Sequence, residues 1–232
     1  MTVYQAANQV TNSNYNSSTT YNTPSISIGS GITAGGGSAT VSHSQSGTKT
    51  YYYYYTSGST SGPYYSYPSG STSIAISSNG NNRFSLSGNT LSHSSMGTYV
   101  GTDSCTVKVT GSGSKTNTAS TSATNAKGSG TYSISCSGTV SLSAETGGAA
   151  KYKSVNSVYS GTYTSGSSYS DATTFSIYSK PSWAYVDVYG ASEVQVDAAD
   201  NTSTSSRSGT VTVRQNASNK TCSFTVSQEG AA

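Results

Sequence analysis

Few residues in this sequence are of the types that carry out chemistry. His43 and His93 are the only histidines, and neither lies in a metal-binding spacing such as H-x-H. A serine nucleophile needs a neighbouring base, and the G-x-S-x-G motif is absent. Asp187, Glu193 and Asp197 fall at the outward positions of strand patterns, which is typical of a solvated face. We therefore predict a protein that is not an enzyme, with no catalytic residues, no metal and no cofactor.

One alternative concerns calcium. The segment from Asp197 to Asn201 carries side-chain oxygens of the kind that calcium prefers as ligands. Spacing of this kind is also common in ordinary loops. We therefore keep the prediction of no metal site, with a calcium site as the alternative.

Tyrosine forms the most unusual feature of the sequence, with five in a row at positions 51–55. Successive side chains of a strand point to opposite faces, so Tyr52 and Tyr54 share one face. Joined by Tyr64, Tyr65 or Tyr67 on a partner strand, they would form an exposed aromatic strip that binds protein or sugar. The alternative is that cross-strand tyrosine pairs only stabilise a sheet poor in aliphatic residues.

The composition favours strands rather than helices as the elements that position these residues. Only 8% of the 232 residues are charged, against roughly 25% in an average soluble protein. Leucine and glutamate each occur only three times, and no stretch repeats apolar residues at helical spacing. We therefore predict an all-β protein in which many short strands are joined by polar turns.

The charge pattern and the N-terminus exclude several classes of protein. The net charge of +3 is small and the basic residues do not cluster, so nucleic acid is not a predicted partner. No stretch approaches the roughly 20 apolar residues that span a membrane, so a membrane is not a predicted partner either. The first residues lack the basic and apolar regions of a signal peptide, and we expect that nothing in the chain exports it.

The length is sufficient for two domains, and changes in pattern predict where they meet. Residues 1–22 are predicted to form a polar arm or linker, in which Val3, Tyr4 and Gln5 are candidates for docking onto a partner. Residues 23–125 and 126–232 show the turn signals and short alternating runs of sandwich domains. The predicted architecture is two tandem immunoglobulin-like antiparallel β-sandwiches that follow a short arm.

The sharpest strand pattern lies between residues 181 and 230. Apolar side chains at every second position indicate strands with one buried face. The predicted inward set is Val186, Val188, Val194, Val196, Ala198, Val211, Val213, Cys222, Phe224 and Val226. Trp183, the only tryptophan, stands at the start of this block and is predicted to pack at its core or rim.

The three cysteines, Cys105, Cys136 and Cys222, all fall at inward strand positions. The odd count and the missing secretory signal favour free thiols that fill the core. A Cys136–Cys222 disulfide is the alternative, since both residues lie in the second half of the chain.

Several segments of the second half carry a family resemblance. They are residues 141–148 (SLSAETGG), 181–183 (PSW), 200–202 (DNT), 207–213 (RSGTVTV) and 224–230 (FTVSQEG). They resemble the BACON family of β-sandwich modules, which is carbohydrate-binding by name, over residues ~131–232. The resemblance implies a β-sandwich with an interaction role and supplies no catalytic residues. Trp183, Arg207 and Gly209 lie in these segments, and we predict structural roles for them.

The first domain resembles the immunoglobulin-like domains of bacteria and phages, through residues 84–90 (FSLSGNT) and 98–102 (TYVGT). Modules of both kinds occur in exported glycan-handling proteins and in virion proteins of phages that infect gut bacteria. Without an export signal, the pairing resembles capsid auxiliary proteins of phages that infect gut Bacteroidetes.

The predicted function is therefore a structural, non-enzymatic virion protein that decorates the outer surface of a phage capsid. It would assemble in the host cytoplasm, with the major capsid protein or other virion proteins as partners and with host or mucus glycans as a further class of partner. The alternatives are a carbohydrate-binding module of a bacterial surface protein, or a phage fibre component.

Overall fold

The computed structural model describes residues 7–145 and 150–232. The chain divides into two compact units, Met1–Ala126 and Lys127–Ala232, here called the N-terminal and C-terminal domains. Strands make up both, which confirms the predicted all-β class. No helix in the described part of the chain is long and apolar enough to cross a membrane. Val3, Tyr4, Gln5 and residues 146–148 of the family resemblance lie outside the described residues.

The described residues of the N-terminal domain form ten strands in three sheets. The strands are β1 (Val10–Tyr21), β2 (Ser25–Ile28), β3 (Gly37–Ser44), β4 (Gly47–Tyr55), β5 (Thr60–Ser66), β6 (Thr72–Asn79), β7 (Phe84–Ser87), β8 (Thr90–His93), β9 (Gly101–Gly111) and β10 (Thr116–Asn125). Sheets β2-β3-β8-β7 and β10-β9-β6 share one buried cluster, which includes Val41, Leu91 and Val107. The alternation of apolar and polar residues therefore forms a sandwich core, while the third sheet, β1-β4-β5, contributes nothing to that cluster.

Strand β1 differs from the predicted polar arm. Residues 10–21 pair antiparallel with β4, although almost every side chain of β1 is exposed. The pairing depends on backbone hydrogen bonds and on cross-strand contacts such as Tyr15 with Tyr54, rather than on burial of an apolar face. Hydrophobic periodicity does not predict such a strand, since neither of its faces is buried.

Ten strands also form in the part of the C-terminal domain that the structure describes. They are β11 (Thr131–Ser135), β12 (Thr139–Leu142), β13 (Lys151–Ser154), β14 (Asn156–Thr162), β15 (Ser168–Ala172), β16 (Phe175–Ser179), β17 (Ala184–Tyr189), β18 (Glu193–Ala198), β19 (Arg207–Gln215) and β20 (Thr221–Gln228). Their sheets have the orders β12-β20-β19-β16, β13-β18-β17 and β11-β14-β15. The strand pairs are antiparallel as predicted, except that β12 and β20 pair in parallel. Most of the domain separates these two strands in sequence, so no hairpin constrains their direction.

The core of the C-terminal domain follows the predicted alternation closely. Val194, Val196, Val211 and Val213 are fully buried, and the cluster extends to Phe224 and other members of the predicted set. Val188 is the exception, because it lies near the end of edge strand β17 and is 42% exposed.

The prediction of free thiols is correct only for Cys105, which is buried in the N-terminal domain. Cys136 and Cys222 form a disulfide, with their Cα atoms 5.6 Å apart. That separation is ordinary for a disulfide, and both residues pack against the domain core. The odd count misled the prediction because the unpaired cysteine lies in the other domain.

Trp183, Arg207 and Gly209 lie together beside the core of the C-terminal domain. The indole of Trp183 packs against the apolar cluster, and the guanidinium of Arg207 stacks 4.6 Å from the indole centre. Arg207 also donates to the Gln228 side chain at 2.9 Å and to the Ala199 carbonyl at 2.6 Å. The outer side of the indole is thus occupied by Arg207.

Gly209 is expected to tolerate no side chain. A Cβ placed there would lie 2.4 Å from Cγ of Pro181, which is well inside van der Waals contact. We expect Gly209→Ala to lower the free energy of unfolding of the C-terminal domain by about 1–3 kcal/mol, as overpacking does. The matched control is Ser208→Ala at the exposed neighbouring position. This variant should change the free energy of unfolding by no more than about 0.5 kcal/mol. Equal urea midpoints for the two variants would contradict the steric argument.

Candidate functional site

The predicted aromatic strip lies in the sheet β1-β4-β5, here called the tyrosine ribbon. Its base is held by the buried side chain of Gln45, whose amide nitrogen donates to the carbonyls of Asn22 and Ser112 at 2.7 and 3.1 Å. Beyond that base, the side chains of the ribbon pack mainly on one another.

One face of the ribbon carries Tyr51, Tyr53 and Tyr64. Tyr64 lies opposite Tyr51 in the strand register, and its ring centre is 4.8 Å from that of Tyr53. A hydrogen bond with Tyr51, the nearby phenol charges and partial burial raise the pKa of Tyr53. These rings form a continuous aromatic contact along the sheet.

The opposite face of the ribbon carries Tyr15, Tyr52, Tyr54 and Tyr65. Tyr15 lies opposite Tyr52, and its ring centre is 5.2 Å from that of Tyr54. Tyr65 lies opposite Thr50, which places it on the face of Tyr52. Sequence reasoning missed Tyr15 because it treated residues 1–22 as an arm.

The structure therefore divides the predicted strip. Tyr52, Tyr54 and Tyr65 share a face, but Tyr64 lies on the other one, and Tyr67 follows the end of β5. Alternation along β5 separates Tyr64 from Tyr65, and the register between β4 and β5 decides which of the two joins Tyr52.

A second tyrosine surface lies on the C-terminal domain, on the outward face of the sheet β13-β18-β17. We call it the outer tyrosine face. The alternating side chains Val194 and Val196 of the central strand are fully buried, so the residues between them must point outward. The outward set is Tyr152, Ser154, Tyr185, Asp187, Tyr189, Glu193, Gln195 and Asp197.

The register places the outward residues in rows across the three strands. Tyr152, Gln195 and Asp187 form the middle row, with Gln195 on the central strand. Glu193 lies opposite Tyr189 in the next row, and Asp197 lies opposite Tyr185 in the row on the other side. Each row thus combines a tyrosine with a carboxylate.

Two of these tyrosines meet above the central strand. The ring centres of Tyr152 on β13 and Tyr189 on β17 are 4.9 Å apart, although β18 lies between the two strands. The two side chains are 49% and 51% exposed, and that of Tyr185 is 59% exposed. The sheet below is anchored in the domain core, so these rings form a rigid, solvated aromatic platform.

The three carboxylates of this face have no cationic partner among the described residues. Neither Asp187, Glu193 nor Asp197 takes part in an ion pair there. Asp197 accepts a hydrogen bond from the backbone nitrogen of Ala198 at 2.8 Å. Carboxylates next to exposed rings are suited to accept hydrogen bonds from the hydroxyl groups of a ligand stacked on those rings.

Some residues of the outer tyrosine face could be recognised from the sequence. Tyr185 and Tyr189 have the same strand parity as Asp187, whose outward position was predicted. Tyr152 had no such signal, because only the pairing of β13 with β18 brings it to the same face.

Both histidines serve the fold of the N-terminal domain. His93 is buried, and its ring nitrogens lie 2.9 Å from the Thr33 carbonyl and 3.2 Å from Asp103. Asp103 is also buried and accepts hydrogen bonds from Arg83 and Asn81. His43 contacts Thr72 and Asn89 through its two ring nitrogens.

The described residues contain no group of three or more His, Cys, Asp or Glu side chains placed to hold a metal ion. In the segment considered for calcium, the side chain of Asn201 is buried and bonded within the protein. It donates to the carbonyls of Ser205 and Glu229, and its oxygen lies 3.3 Å from the Ser203 nitrogen. Asn201 therefore supports the loop rather than an ion.

Residues 172–229, about a quarter of the chain, match the BACON family model, described as "Putative binding domain, N-terminal". The match includes the Pro181-Ser182-Trp183 and 207–213 segments, together with strands β17 and β18 of the outer tyrosine face. It confirms the predicted resemblance over this part and does not reach residues 141–148. No curated protein matches the chain.

Several solved structures are similar to this chain at low TM-scores. An endo-fucoidan hydrolase of glycoside hydrolase family 107 is 16% identical with a TM-score of 0.26, over 69% of this chain and 24% of that one. The human desmocollin-1 ectodomain is 10% identical with a TM-score of 0.32, over 69% and 34%. A SusE-like surface-located polysaccharide-binding protein from the Bacteroides thetaiotaomicron heparin utilisation locus is 9% identical with a TM-score of 0.26, over 89% and 34%. This chain thus spans about a quarter to a third of their lengths, and TM-scores this low carry no argument about function.

Proposed function

We propose that this protein is a non-catalytic glycan-binding module and that the outer tyrosine face is its binding surface. The observation that carries the proposal is the exposed Tyr152–Tyr189 pair beside Asp187, Glu193 and Gln195. Aromatic rings stack on the apolar faces of sugar rings, while carboxylate and amide groups bond their hydroxyls. The match to a family that is carbohydrate-binding by name covers two of the three strands of this face, which supports the same function.

The disulfide supports a place of action outside the reducing cytoplasm. Cys136 and Cys222 are bonded, and such bonds persist on cell surfaces, on virion surfaces and in secreted proteins. We propose a surface-exposed location on this ground. Nothing in the matches supports the predicted role in a phage capsid with virion proteins as partners, and the BACON match favours the alternative of a carbohydrate-binding module of a bacterial surface protein.

Replacing both paired tyrosines is expected to weaken glycan binding strongly. In affinity gel electrophoresis with immobilised polysaccharides or mucin, Tyr152→Ala/Tyr189→Ala should bind about 5- to 150-fold more weakly, because two stacking interactions of about 0.5–1.5 kcal/mol each are lost. The matched control is Tyr178→Ala, which removes another exposed tyrosine of the same domain that lies on β16.

The ribbon variant Tyr52→Ala/Tyr54→Ala separates the two tyrosine surfaces. Binding that survives in this variant and is lost in Tyr152→Ala/Tyr189→Ala assigns the function to the outer tyrosine face. The reverse result would assign it to the ribbon. Failure of the parent protein to bind any glycan of a broad panel would refute the proposed function.

A further inference from the structure

The outer tyrosine face carries negative charge, and among the described residues its carboxylates form no ion pair. Asp187, Glu193 and Asp197 point outward from two adjacent strands. The lysines of the third strand, Lys151 and Lys153, lie opposite the inward residues Val196 and Val194, so they have the opposite parity. The amine of Lys153 lies near Gly138 and thus away from the outer face.

This distribution discriminates between classes of glycan. A sulfate or uronate group held close to one of these carboxylates is repelled by it even in bulk water, and the three carboxylates act together. An uncharged sugar meets no such repulsion, and its hydroxyls donate hydrogen bonds to the same carboxylates. The charges therefore oppose an anionic chain and favour a neutral one.

The shape of the face favours an extended ligand. Tyr185 and Tyr189 lie on one strand four residues apart, a distance of roughly 13 Å along the sheet. This length exceeds one sugar ring, so the face can contact more than one unit of a chain. Tyr152 adds a ring beside Tyr189, so the aromatic surface extends along and across the sheet.

We infer that the outer tyrosine face binds the uncharged backbone of a linear polysaccharide and rejects sulfated and uronate chains. This inference rests on the proposed function and adds the class of its ligand. Gln195, at the centre of the face, adds an amide that both donates to and accepts from sugar hydroxyls without adding charge.

The test compares neutral and anionic probes on the full-length protein. Affinity gels contain hydroxyethyl cellulose, barley β-glucan, arabinoxylan or galactomannan as neutral chains, and heparin or polygalacturonate as anionic ones, at 20 mM and 150 mM NaCl. The parent should be retarded by at least one neutral chain, and its affinity for the anionic chains should be at least tenfold weaker.

A charge-neutral variant tests the cause of the discrimination. Asp187→Asn/Glu193→Gln/Asp197→Asn keeps the size of each exposed side chain, and circular dichroism and the melting temperature verify its fold. It should bind the anionic chains at least tenfold more tightly than the parent does at 20 mM NaCl. The gain should shrink at 150 mM NaCl, because salt screens exposed charges.

The possible failures are distinguishable. If the parent binds anionic chains as tightly as neutral ones, the inferred ligand class is wrong and the proposed function stands. If the charge-neutral variant rejects anionic chains as strongly as the parent, the three carboxylates are not the cause and the inference fails. If no chain retards the parent, the proposed function itself fails.

Discussion

Replacing Cys136 and Cys222 with serine is expected to lower the free energy of unfolding of the C-terminal domain by about 4–5 kcal/mol. The disulfide joins residues 86 apart, and the loop-entropy relation gives a value of this size for such a loop. The bond links Cys136, just after β11, to Cys222 in strand β20, and both cysteines pack against the domain core. Urea unfolding followed by the fluorescence of Trp183 reports this domain, since Trp183 packs against the same cluster.

Reduction provides the control for this prediction. Dithiothreitol should destabilise the parent to the level of the Cys136→Ser/Cys222→Ser variant and leave the variant unchanged. The unfolding of the N-terminal domain should be the same in all samples, because its only cysteine, Cys105, is a buried free thiol. Equal urea midpoints for the reduced and oxidised parent would contradict a stabilising disulfide.

Asp103→Ala is expected to destabilise the N-terminal domain by about 3 kcal/mol or more. The carboxylate is fully buried and bonds Arg83 at 2.9 Å and His93 at 3.2 Å. Its removal leaves three polar side chains, Arg83, His93 and Asn81, without this partner, and breaking a buried pair in this way typically costs about 3–5 kcal/mol. We expect a cost near the lower end of this range, because the Arg83 side chain is 26% exposed and water can partly hydrate its charge once the carboxylate is removed.

The same carboxylate makes the stability of the N-terminal domain depend on pH. Burial by itself would raise the pKa of Asp103, but hydrogen bonds from Asn81, His93 and Arg83 outweigh burial and lower it. The ionised form is thus favoured by folding, and this stabilisation is complete above the unfolded pKa of about 3.9. It is lost as the pH falls through the lower folded pKa.

Calorimetry between pH 2 and pH 6 measures this dependence, with one transition assigned to each domain through the Cys136→Ser/Cys222→Ser variant. The N-terminal transition should fall steeply in temperature below about pH 4 in the parent. In Asp103→Asn, which cannot ionise, the fall should be shallower and the stability at pH 6 lower. A parallel pH dependence in the parent and Asp103→Asn would contradict the assigned role.

Much of the C-terminal core could be predicted from the alternation of its residues. Val194 and Val196 are buried as expected, because successive side chains of a strand point to opposite faces and the polar neighbours of these valines point outward. The same alternation placed Asp187, Glu193 and Asp197 outward, and these are three of the eight outward residues of the candidate site. Val188 shows the limit of this reasoning, since parity determines the face of a residue but not whether another element covers that face.

The remainder of the site required contacts between segments that are distant in sequence. Tyr152 reaches Tyr189 only because β13 and β17 both pair with β18, and β1 exists only because β4 pairs with it. Similarly, three inward cysteines allowed free thiols or a bond, and the packing of β20 near residue 136 selected the bond.

The sequence by itself determined the all-β class, the inward face of the main strands and the outward position of the carboxylates. These properties follow from a period of two residues, which any single strand displays. Tertiary structure alone decided the registers, the disulfide and the assembly of Tyr152, Tyr185 and Tyr189 into one face. The physical reason is that pairing between distant strands is selected by packing of the whole domain, on which local alternation places no constraint.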